Sequence, residues 1–481
     1  MKPIAALLPQ LSGARVVGDA AALAALAIKR VNTDTRSLQP GDLFVALRGE
    51  RFDAHSFLPQ ARAQGALASL AESGLAAAGL VGVEVPNSKL ALGELAHRWR
   101  ALFSLPLIAV TGSNGKTTVT QMVASILRAA VGEAAHATQG NFNNDIGVPL
   151  TLLGLLPAHQ MAVIELGMNH PGEIATLAAI AQPTVALVNN AQREHQEFMV
   201  SVQAVALENG AVIAALKDSG VAVFPSDEAH TPLWYGLAAA RRVITFSDTD
   251  SRAAVHLQSA SWQAGAWRLH FTTPLGAERC VLRVAGRHNL RNAMAAAACA
   301  VAAGAPLGAI ARGLSAFEPV GGRSRALAVP LADRTLTLID DSYNANPDSV
   351  LAAIDVLAEL PAPRLLALGD MGEVGEQGLA AHLEVLRHAQ ASKIAAVHVA
   401  GDWMRQACDA LRAAGEPAPR HWAEVDALVL HLAGVVAAAG AQAPHSVLVK
   451  GSRFMRMERV VRALQALGAT GQEQKDAPHA A

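Results

Sequence analysis

The stretch 108-IAVTGSNGKTTVTQMVASIL-127 decides how the middle of this chain folds. It joins a short apolar run to a glycine turn carrying Lys116, and then to a helical repeat that includes Val119, Met122 and Val123. A strand, a glycine turn and a helix N-terminus together form an anion site from backbone amides and the helix dipole. We therefore predict a strand–loop–helix unit that binds the phosphates of a nucleotide.

Within the loop 112-GSNGKTT-118, Lys116 is placed to reach the terminal phosphates and the Thr117 hydroxyl is placed to ligate Mg²⁺. The usual phosphate loop has a glycine five positions before Gly115, where this chain has Val110. Alone, the shorter loop could be a plain turn, but the strand before it and the helix after it favour phosphate binding. It does not identify the reaction, because kinases, GTPases, motors and ligases all bind nucleotides in this way.

The composition indicates a multidomain enzyme of the cytoplasm. A chain of 481 residues exceeds what one core normally supports, and its formal net charge of −1 gives no general attraction to nucleic acid or anionic membrane. Three cysteines lie far apart without CxxC spacing, which suits a reducing compartment and argues against a disulfide framework or a zinc site. We expect no secretory signal, because Pro9 and Gln10 break the N-terminal apolar run. We expect no stable membrane insertion, because the uncharged stretch 293–311 is typical of a buried helix followed by a turn.

Three regions separate by pattern, and we predict an α/β protein of three domains. Residues 1–100 form an N-terminal α/β domain, residues 101–325 a doubly wound phosphate-loop domain, and residues 326–468 a C-terminal Rossmann-like domain with a disordered tail at 469–481. The middle region carries continuous apolar runs typical of parallel strands buried on both faces, and then an antiparallel insertion near 255–284. Ligands of doubly wound sheets bind at the carboxyl ends of the strands.

Two such strand ends carry polar side chains. Glu165 ends the strand 161-MAVIEL-166, where a carboxylate could hold a nucleotide-bound magnesium, although a surface loop glutamate is the plainer alternative. His195 follows the strand 184-TVALVN-189, and we consider both a metal role and a structural or solvated histidine.

Several of these motifs, taken in order, resemble the Mur ligase family of peptidoglycan synthesis. The match covers about residues 30 to 465. It is carried by GSNGKTT and by 163-VIELGMNHPGEI-174, 188-VNNAQREH-195, 286-GRHNLRNAMAAA-297, 33-TDTRSLQPGDLFVALRGERFDAHSF-57, 340-DDSYNANPDSV-350 and 368-LGDMGEVGEQG-378.

The resemblance implies ATP-dependent, ADP-forming amide ligation through an acyl phosphate. Within the family, the stretches 33–57, 340–350 and 368–378 favour the member that joins D-alanyl-D-alanine to UDP-N-acetylmuramoyl-tripeptide. That member acts in cell wall synthesis and cell division. It implies ATP and Mg²⁺ as cofactors, with Lys116, Glu165 and His195 as catalytic residues and Thr117, Glu165 and His195 as metal ligands. The implied ATP-binding residues are Gly112, Ser113, Asn114, Gly115, Lys116, Thr117, Thr118, Asn289, Arg323, Tyr343, Asn344 and Asn346.

The resemblance also assigns candidates for the other substrates. Thr35, Arg36 and Ser37 would bind the UDP-sugar, because arginine pairs bidentately with phosphate oxygens, although a solvated loop is the alternative. The candidates for the acceptor side are Asn143, Asn144 and Asp145. The candidates for the dipeptide are Asp370, Glu373, Lys450 and Arg453. We expect a monomer whose domains close when ATP and the UDP-sugar are both bound.

One position departs from the family. Many Mur ligases carry a carbamylated lysine fourteen residues after the metal histidine, whereas this chain has Asn209 there. Lys217 lies eight residues further on, about 12 Å along an unbroken helix, and Glu208 is turned about 100° away from Asn209. We therefore predict an enzyme that works without a carbamate.

Other functions remain open at this stage. Within the family the alternatives are the ligase that adds the third peptide residue and a folylpolyglutamate synthetase. Outside it they are a P-loop kinase or NTPase and a nucleotide-gated binding module. A ligase releases ADP and phosphate only in step with amide formation, whereas an NTPase hydrolyses ATP without the other substrates.

Overall fold

The N-terminal part of the chain forms a five-stranded sheet covered by short helices. The computed structural model describes residues 3–49, 52–194, 196–263 and 265–475. The strand order is β1-β5-β4-β3-β2, with only β1 antiparallel to its neighbour. The elements are β1 Arg15–Val17, α1 Ala20–Ala24, β2 Arg30–Asn32, β3 Asp42–Val45, α2 Leu58–Ala63, β4 Ala68–Ala71, α3 Leu75–Ala78, β5 Gly82–Glu84 and α4 Ser88–Arg100.

The central part forms a nine-stranded sheet in the order β14-β13-β12-β11-β10-β9-β6-β8-β7. The elements are β6 Leu107–Thr111, α5 Lys116–Val131, β7 Ala135–Ala137, α6 Gly147–Leu153, β8 Met161–Glu165, α7 Glu173–Ala181, β9 Val185–Val188, α8 Val202–Ala214, β10 Val221–Pro225, α9 Thr231–Ala238, β11 Arg242–Ser247, β12 Val255–Gln263, β13 Ala266–Thr273, β14 Gly276–Leu282, α10 His288–Ala302 and α11 Leu307–Ala316. The predicted antiparallel segment is confirmed as β12–β14, which extends one edge of this otherwise parallel sheet.

Strand β6 lies where the order of the central sheet reverses, since β8 pairs with it on one side and β9 on the other. A crevice forms at the carboxyl end of such a strand because the connections leave in opposite directions. The fully buried apolar residues of β6, β8 and β9 hold these three strand ends in fixed register.

The C-terminal part forms a six-stranded sheet in the order β15-β16-β20-β17-β18-β19, with only β15 antiparallel. Its elements are β15 Arg325–Pro330, β16 Thr335–Asp341, α12 Pro347–Glu359, β17 Arg364–Gly369, α13 Gly378–Ala391, β18 Ala396–Ala400, α14 Asp402–Ala413, β19 Arg420–Trp422, α15 Val425–Ala437, β20 Ser446–Lys450 and α16 Glu458–Lys475. The three predicted α/β units are present, while their boundaries stay predictions.

Helix α16 enters the segment 469–481 predicted to be a disordered tail. The helix continues through residue 475, and disorder of this segment stays a prediction. Residues 476–481 lie outside the described part. No helix within the described ranges is both long and apolar enough to cross a membrane.

Candidate functional site

A cavity of about 1300 Å³ lies over the carboxyl ends of the central strands, between the central and C-terminal domains. It gathers most of the candidate residues from segments far apart in sequence. The candidates that line it are Ser113, Asn114, Gly115, Lys116, Thr118, Asn143, Asn144, Asp145, Glu165, Asn289, Arg323, Tyr343, Asn344, Asn346, Glu373, Lys450 and Arg453.

The phosphate loop is held in shape by asparagines that follow β9. Gly115 has φ +80°, and a Cβ there would lie 2.6 Å from Asn292 Oδ1, so no other residue fits without a shift. Asn190 Oδ1 accepts from the Asn114 amide at 2.8 Å, and Asn189 Nδ2 donates to the Asn114 carbonyl at 2.8 Å. The loop therefore has a fixed backbone, as an anion-binding turn requires.

Lys116 is folded back over the loop that it follows. Its Nζ donates to the carbonyl oxygens of Gly112 at 2.6 Å and Ser113 at 3.1 Å, and to Glu194 Oε1 at 2.6 Å. Both charged side chains are largely buried, with 14% of Lys116 and 9% of Glu194 exposed. The lysine thus lies at the cavity wall with an internal carboxylate as counter-ion.

Thr117 and Glu165, both predicted as magnesium ligands, are hydrogen-bonded to each other in the structure. Thr117 Oγ1 donates to Glu165 Oε2 at 2.7 Å, and Asn143 Nδ2 donates to Glu165 Oε1 at 2.8 Å. A hydroxyl and a carboxylate side by side are hard oxygen donors, which fits Mg²⁺, an ion that binds through one or two carboxylates plus phosphates and water. The described residues contain no group of three His, Cys, Asp or Glu side chains that could hold a metal ion by themselves. His195, the third predicted ligand, lies outside the described residues.

The C-terminal wall of the cavity presents a helix N-terminus to the phosphate loop. Asn346 caps α12 by accepting from the Ser349 amide at 2.9 Å, and its Nδ2 donates to Asn114 Oδ1 at 2.9 Å. The orphan amides and dipole of such a helix end favour a negative charge nearby. Tyr343 stands beside it, with the Arg323 guanidinium 4.2 Å from its ring centroid.

Lys450 at the end of β20 is almost fully buried and donates to Asp341 Oδ2 at 2.5 Å. Burial acts to raise the pKa of the Asp341 carboxyl, but the charge and hydrogen bond of Lys450 more than offset it, so that pKa lies below its usual value. This pair keeps a cation at the cavity wall.

Of the candidates for dipeptide binding, Glu373 and Arg453 line both the main cavity and a neighbouring one of about 100 Å³. Glu373 has φ +57°, a left-handed conformation that costs a non-glycine residue energy and is concentrated at functional sites. Asp370 lines neither cavity. Its Oδ1 and Oδ2 accept from the amides of Met404 at 2.9 Å and Trp403 at 3.1 Å, so it caps α14, and its assignment to the dipeptide stays a prediction.

Thr35, Arg36 and Ser37 lie in the loop after β2 and do not line the main cavity. The Arg36 side chain is 87% exposed, and its guanidinium pairs with Asp34 at 2.7 Å. A UDP-sugar bound there would have to break or share this pair, so the assignment stays a prediction.

Sequence reasoning missed a charged cluster on the cavity wall beyond β10. Arg291 NH2 contacts Asp227 Oδ1 at 2.6 Å and Glu228 Oε1 at 3.6 Å. Burial raises the pKa of Glu228 to about 7, against the opposing effect of Arg291. The apolar strand 221-VAVFP-225 followed at once by Ser226, Asp227 and Glu228 repeats the strand-end signal that led to Glu165.

Asn209 is buried beneath the phosphate loop. Its Oδ1 accepts from the Gly112 amide at 2.8 Å, and its Nδ2 donates to the Val205 carbonyl at 3.1 Å. The neighbouring Glu208 accepts from the amides of Gly172 and Ile174, both at 2.9 Å, at the start of α7. Both side chains are therefore engaged within the protein, and Asn209 supports the loop.

Three family models match this chain. The Mur ligase family catalytic domain matches residues 27–100, the Mur ligase middle domain residues 110–300, and the Mur ligase glutamate ligase domain residues 325–453.

Known proteins match over nearly the whole chain. The UDP-N-acetylmuramoyl-tripeptide--D-alanyl-D-alanine ligase of Escherichia coli K12 is 41% identical over 443 residues, covering 92% of this chain and 95% of its own length. The ligase of the same name from Haemophilus influenzae is 37% identical and covers 95% and 97%. Among solved structures, MurF from Acinetobacter baumannii superposes with a TM-score of 0.82 at 33% identity, covering 91% of this chain and 94% of that one. The chain belongs to the Mur ligase family.

Proposed function

We propose that this protein is an ATP-dependent ligase that joins D-alanyl-D-alanine to UDP-N-acetylmuramoyl-tripeptide in the synthesis of peptidoglycan precursor. One observation carries the proposal: a single cavity joins the phosphate loop and Glu165 of the Thr117–Glu165 pair to Lys450 and Arg453 of a second domain. An enzyme that phosphorylates one substrate and then joins it to another needs such a shared space. The E. coli and H. influenzae relatives that cover the chain carry the name of this activity.

The chemistry takes two steps. A carboxylate oxygen of the tripeptide attacks the γ-phosphorus of ATP, forming a carbon–oxygen–phosphorus link while the bond to ADP breaks. The amine of D-alanyl-D-alanine then attacks the acyl carbon, loses a proton, and displaces phosphate through a tetrahedral intermediate. Two anions must approach each other in the first step, so its transition state depends on positive charge at the phosphates.

Lys116 is the side chain placed to supply that charge. Its Nζ lies against the carbonyls of the phosphate loop, and binding of the γ-phosphate would exchange Glu194 for a phosphate oxygen. The Asn346 end of α12 would face the same phosphates from across the cavity.

Magnesium is the metal that suits the site. Thr117 and Glu165 would hold it together with phosphate oxygens and water, and we propose His195 as a ligand of a second ion. When bound, the metal supplies further neutralisation of phosphate charge.

The dipeptide is a zwitterion, and the two charged residues at the junction of the cavities complement it. We propose that Glu373 receives its ammonium group and Arg453 its carboxylate, with Lys450 nearby. We place the UDP portion at Thr35–Ser37 and the acceptor peptide near Asn143–Asp145. The protein would act in the cytoplasm, since its three cysteines are free and buried.

The test is to mix the protein with ATP, Mg²⁺, UDP-N-acetylmuramoyl-tripeptide and D-alanyl-D-alanine, and to weigh the products. We expect one amide product, with ADP and phosphate released only when both substrates are present. ATP hydrolysis that does not depend on them would favour an NTPase. Replacing the dipeptide by free amino acids, or the acceptor by a folate, tests the other ligases of the family.

A further inference from the structure

Arg193 joins the central domain to the C-terminal domain at the edge of the cavity. Its Nε and NH2 donate to Asp348 Oδ1 at 3.0 and 2.6 Å, and its backbone amide donates to Asp348 Oδ2 at 2.8 Å. The same guanidinium donates through NH1 to Glu384 Oε2 at 2.7 Å. Asp348 lies on α12 and Glu384 on α13, so one central-domain side chain engages two helices of the other domain.

The contact with Asp348 is better shielded from solvent than an ordinary surface ion pair. The Arg193 side chain is 30% exposed and that of Asp348 is 23% exposed, so solvent screens them only partly. Both carboxylate oxygens of Asp348 accept from Arg193, one from the side chain and one from the backbone. This fork geometry fixes orientation as well as distance. The two carboxylates raise the pKa of Arg193 above its ordinary value, so the cation persists at any working pH.

The position of Asp348 connects this contact to the nucleotide site. Asp348 lies in the first turn of α12, two residues after the cap Asn346, whose side chain pairs with Asn114 of the phosphate loop. Holding Asp348 therefore sets the start of α12 against the loop. On the central side, the residues flanking Arg193 also touch the loop, through Gln192 to Asn114 and Glu194 to Lys116.

We propose that Arg193 is a positioning residue that holds the C-terminal domain in the arrangement where both halves of the site face the nucleotide. The inference rests on the proposed ligase activity. Arg193 does not line the main cavity, although it lines the small neighbouring one, and its guanidinium is taken up by Asp348 and Glu384. It therefore acts on the nucleotide side by placing Tyr343, Asn344 and Asn346. Small misplacement of such groups costs up to about 100-fold in rate.

The test compares Arg193→Ala and Arg193→Lys with a matched control, Arg387→Ala. Arg387 makes a similar fork with Glu416, at 3.0 and 2.7 Å, but both partners lie within the C-terminal domain. We expect Arg193→Ala to lower kcat about 10- to 100-fold and to raise KM for ATP by a smaller factor, because the phosphate loop keeps its asparagine supports while the ATP-facing residues of the C-terminal domain are misplaced. Arg193→Lys should recover part of the loss, and Arg387→Ala should behave as wild type.

A second measurement does not depend on activity. Energy transfer between dyes on the central and C-terminal domains should show a longer or broader interdomain distance in Arg193→Ala but not in Arg387→Ala. If Arg193→Ala fails to fold, the isosteric pair Asp348→Asn and Glu384→Gln carries the test with the same expected loss. Wild-type kcat and wild-type distances in these variants would overturn the inference. Absence of amide product from the wild-type protein would instead overturn the proposed function, and the distance measurement would still test the contact.

Discussion

Replacing Asn209 by alanine should weaken the phosphate loop without touching the nucleotide directly. The side chain is 1% exposed, and its Oδ1 accepts a hydrogen bond from the Gly112 amide at 2.8 Å. Alanine leaves this buried donor unpaired, which costs about 1–3 kcal/mol. Loss of the bond from Nδ2 to Val205 adds little, because that carbonyl lies within α8. We therefore expect the central domain to lose about 2 kcal/mol of stability.

Binding of ATP should reveal the same loss, because the loop must be restored to its bound shape. If ATP must restore about 1.4 kcal/mol of the lost loop stabilisation, the Kd for ATP becomes tenfold weaker, which calorimetry can measure. The control is Asn87→Ala, which removes the N-cap bond of α4 to Leu90 at 2.9 Å, a bond of the same type, from a backbone amide to an asparagine oxygen, that is not made to the phosphate loop. An Asn209→Ala protein that binds ATP as tightly as wild type would refute the supporting role.

The same position carries the prediction about carbamylation. Because Asn209 is committed to Gly112 and Lys217 is exposed beyond the end of α8, activity should not fall when bicarbonate and CO₂ are stripped from the assay. Mass spectrometry should find no modified lysine. A carbamate on Lys217, or rescue of activity by bicarbonate, would show that this helix is misread.

Three further results are expected. Lys116→Ala should abolish synthesis while circular dichroism stays unchanged, since the lysine bonds to the loop and to Glu194 rather than packing in a core; an unchanged rate would contradict its assignment. X-ray scattering should show a smaller radius of gyration with ATP and the UDP-sugar both bound than with neither, and identical profiles would count against domain closure. Glu228→Gln should raise the free energy of unfolding by up to about 3 kcal/mol at pH 8 and much less at pH 5. The sign follows because burial raises the Glu228 pKa from 4.5 to about 7, so the stability of the wild-type protein falls as pH rises through that window. If the free energies of unfolding of the two proteins changed in parallel with pH, burial of this charge would be contradicted.

The core of the site was predictable because parallel strands end at the same edge of a sheet. That rule alone brings Lys116, after β6, close to Glu165, at the end of β8, and the structure confirms that their segments share one cavity. The helix start at Asn346 was likewise readable from an asparagine followed by proline. Family membership was also predictable, because several separated motifs agree in order.

The pairings across the cavity were not predictable. Arg193 and Asp348 are 155 residues apart, and nothing local in either segment indicates the other. The contacts of Asp370 were not predictable for a related reason. A carboxylate at a strand end can face a cavity or cap a helix, and here the start of α14, 33 residues later in sequence, takes both of its oxygens. Which of the two occurs depends on how helices pack on the sheet, and no short motif records that.

If Lys116 binds the γ-phosphate as proposed, nucleotide binding must compete with the ion pair between Lys116 and Glu194. All three N–H donors of the lysine are already used, by two loop carbonyls and by Glu194. On the proposed role of Lys116, an incoming γ-phosphate would have to displace Glu194, so it would gain only the difference between a phosphate and a carboxylate as partner of the lysine. Once the phosphate has been transferred, Glu194 would be able to pair with Lys116 again, which would favour release of phosphate and the next turnover.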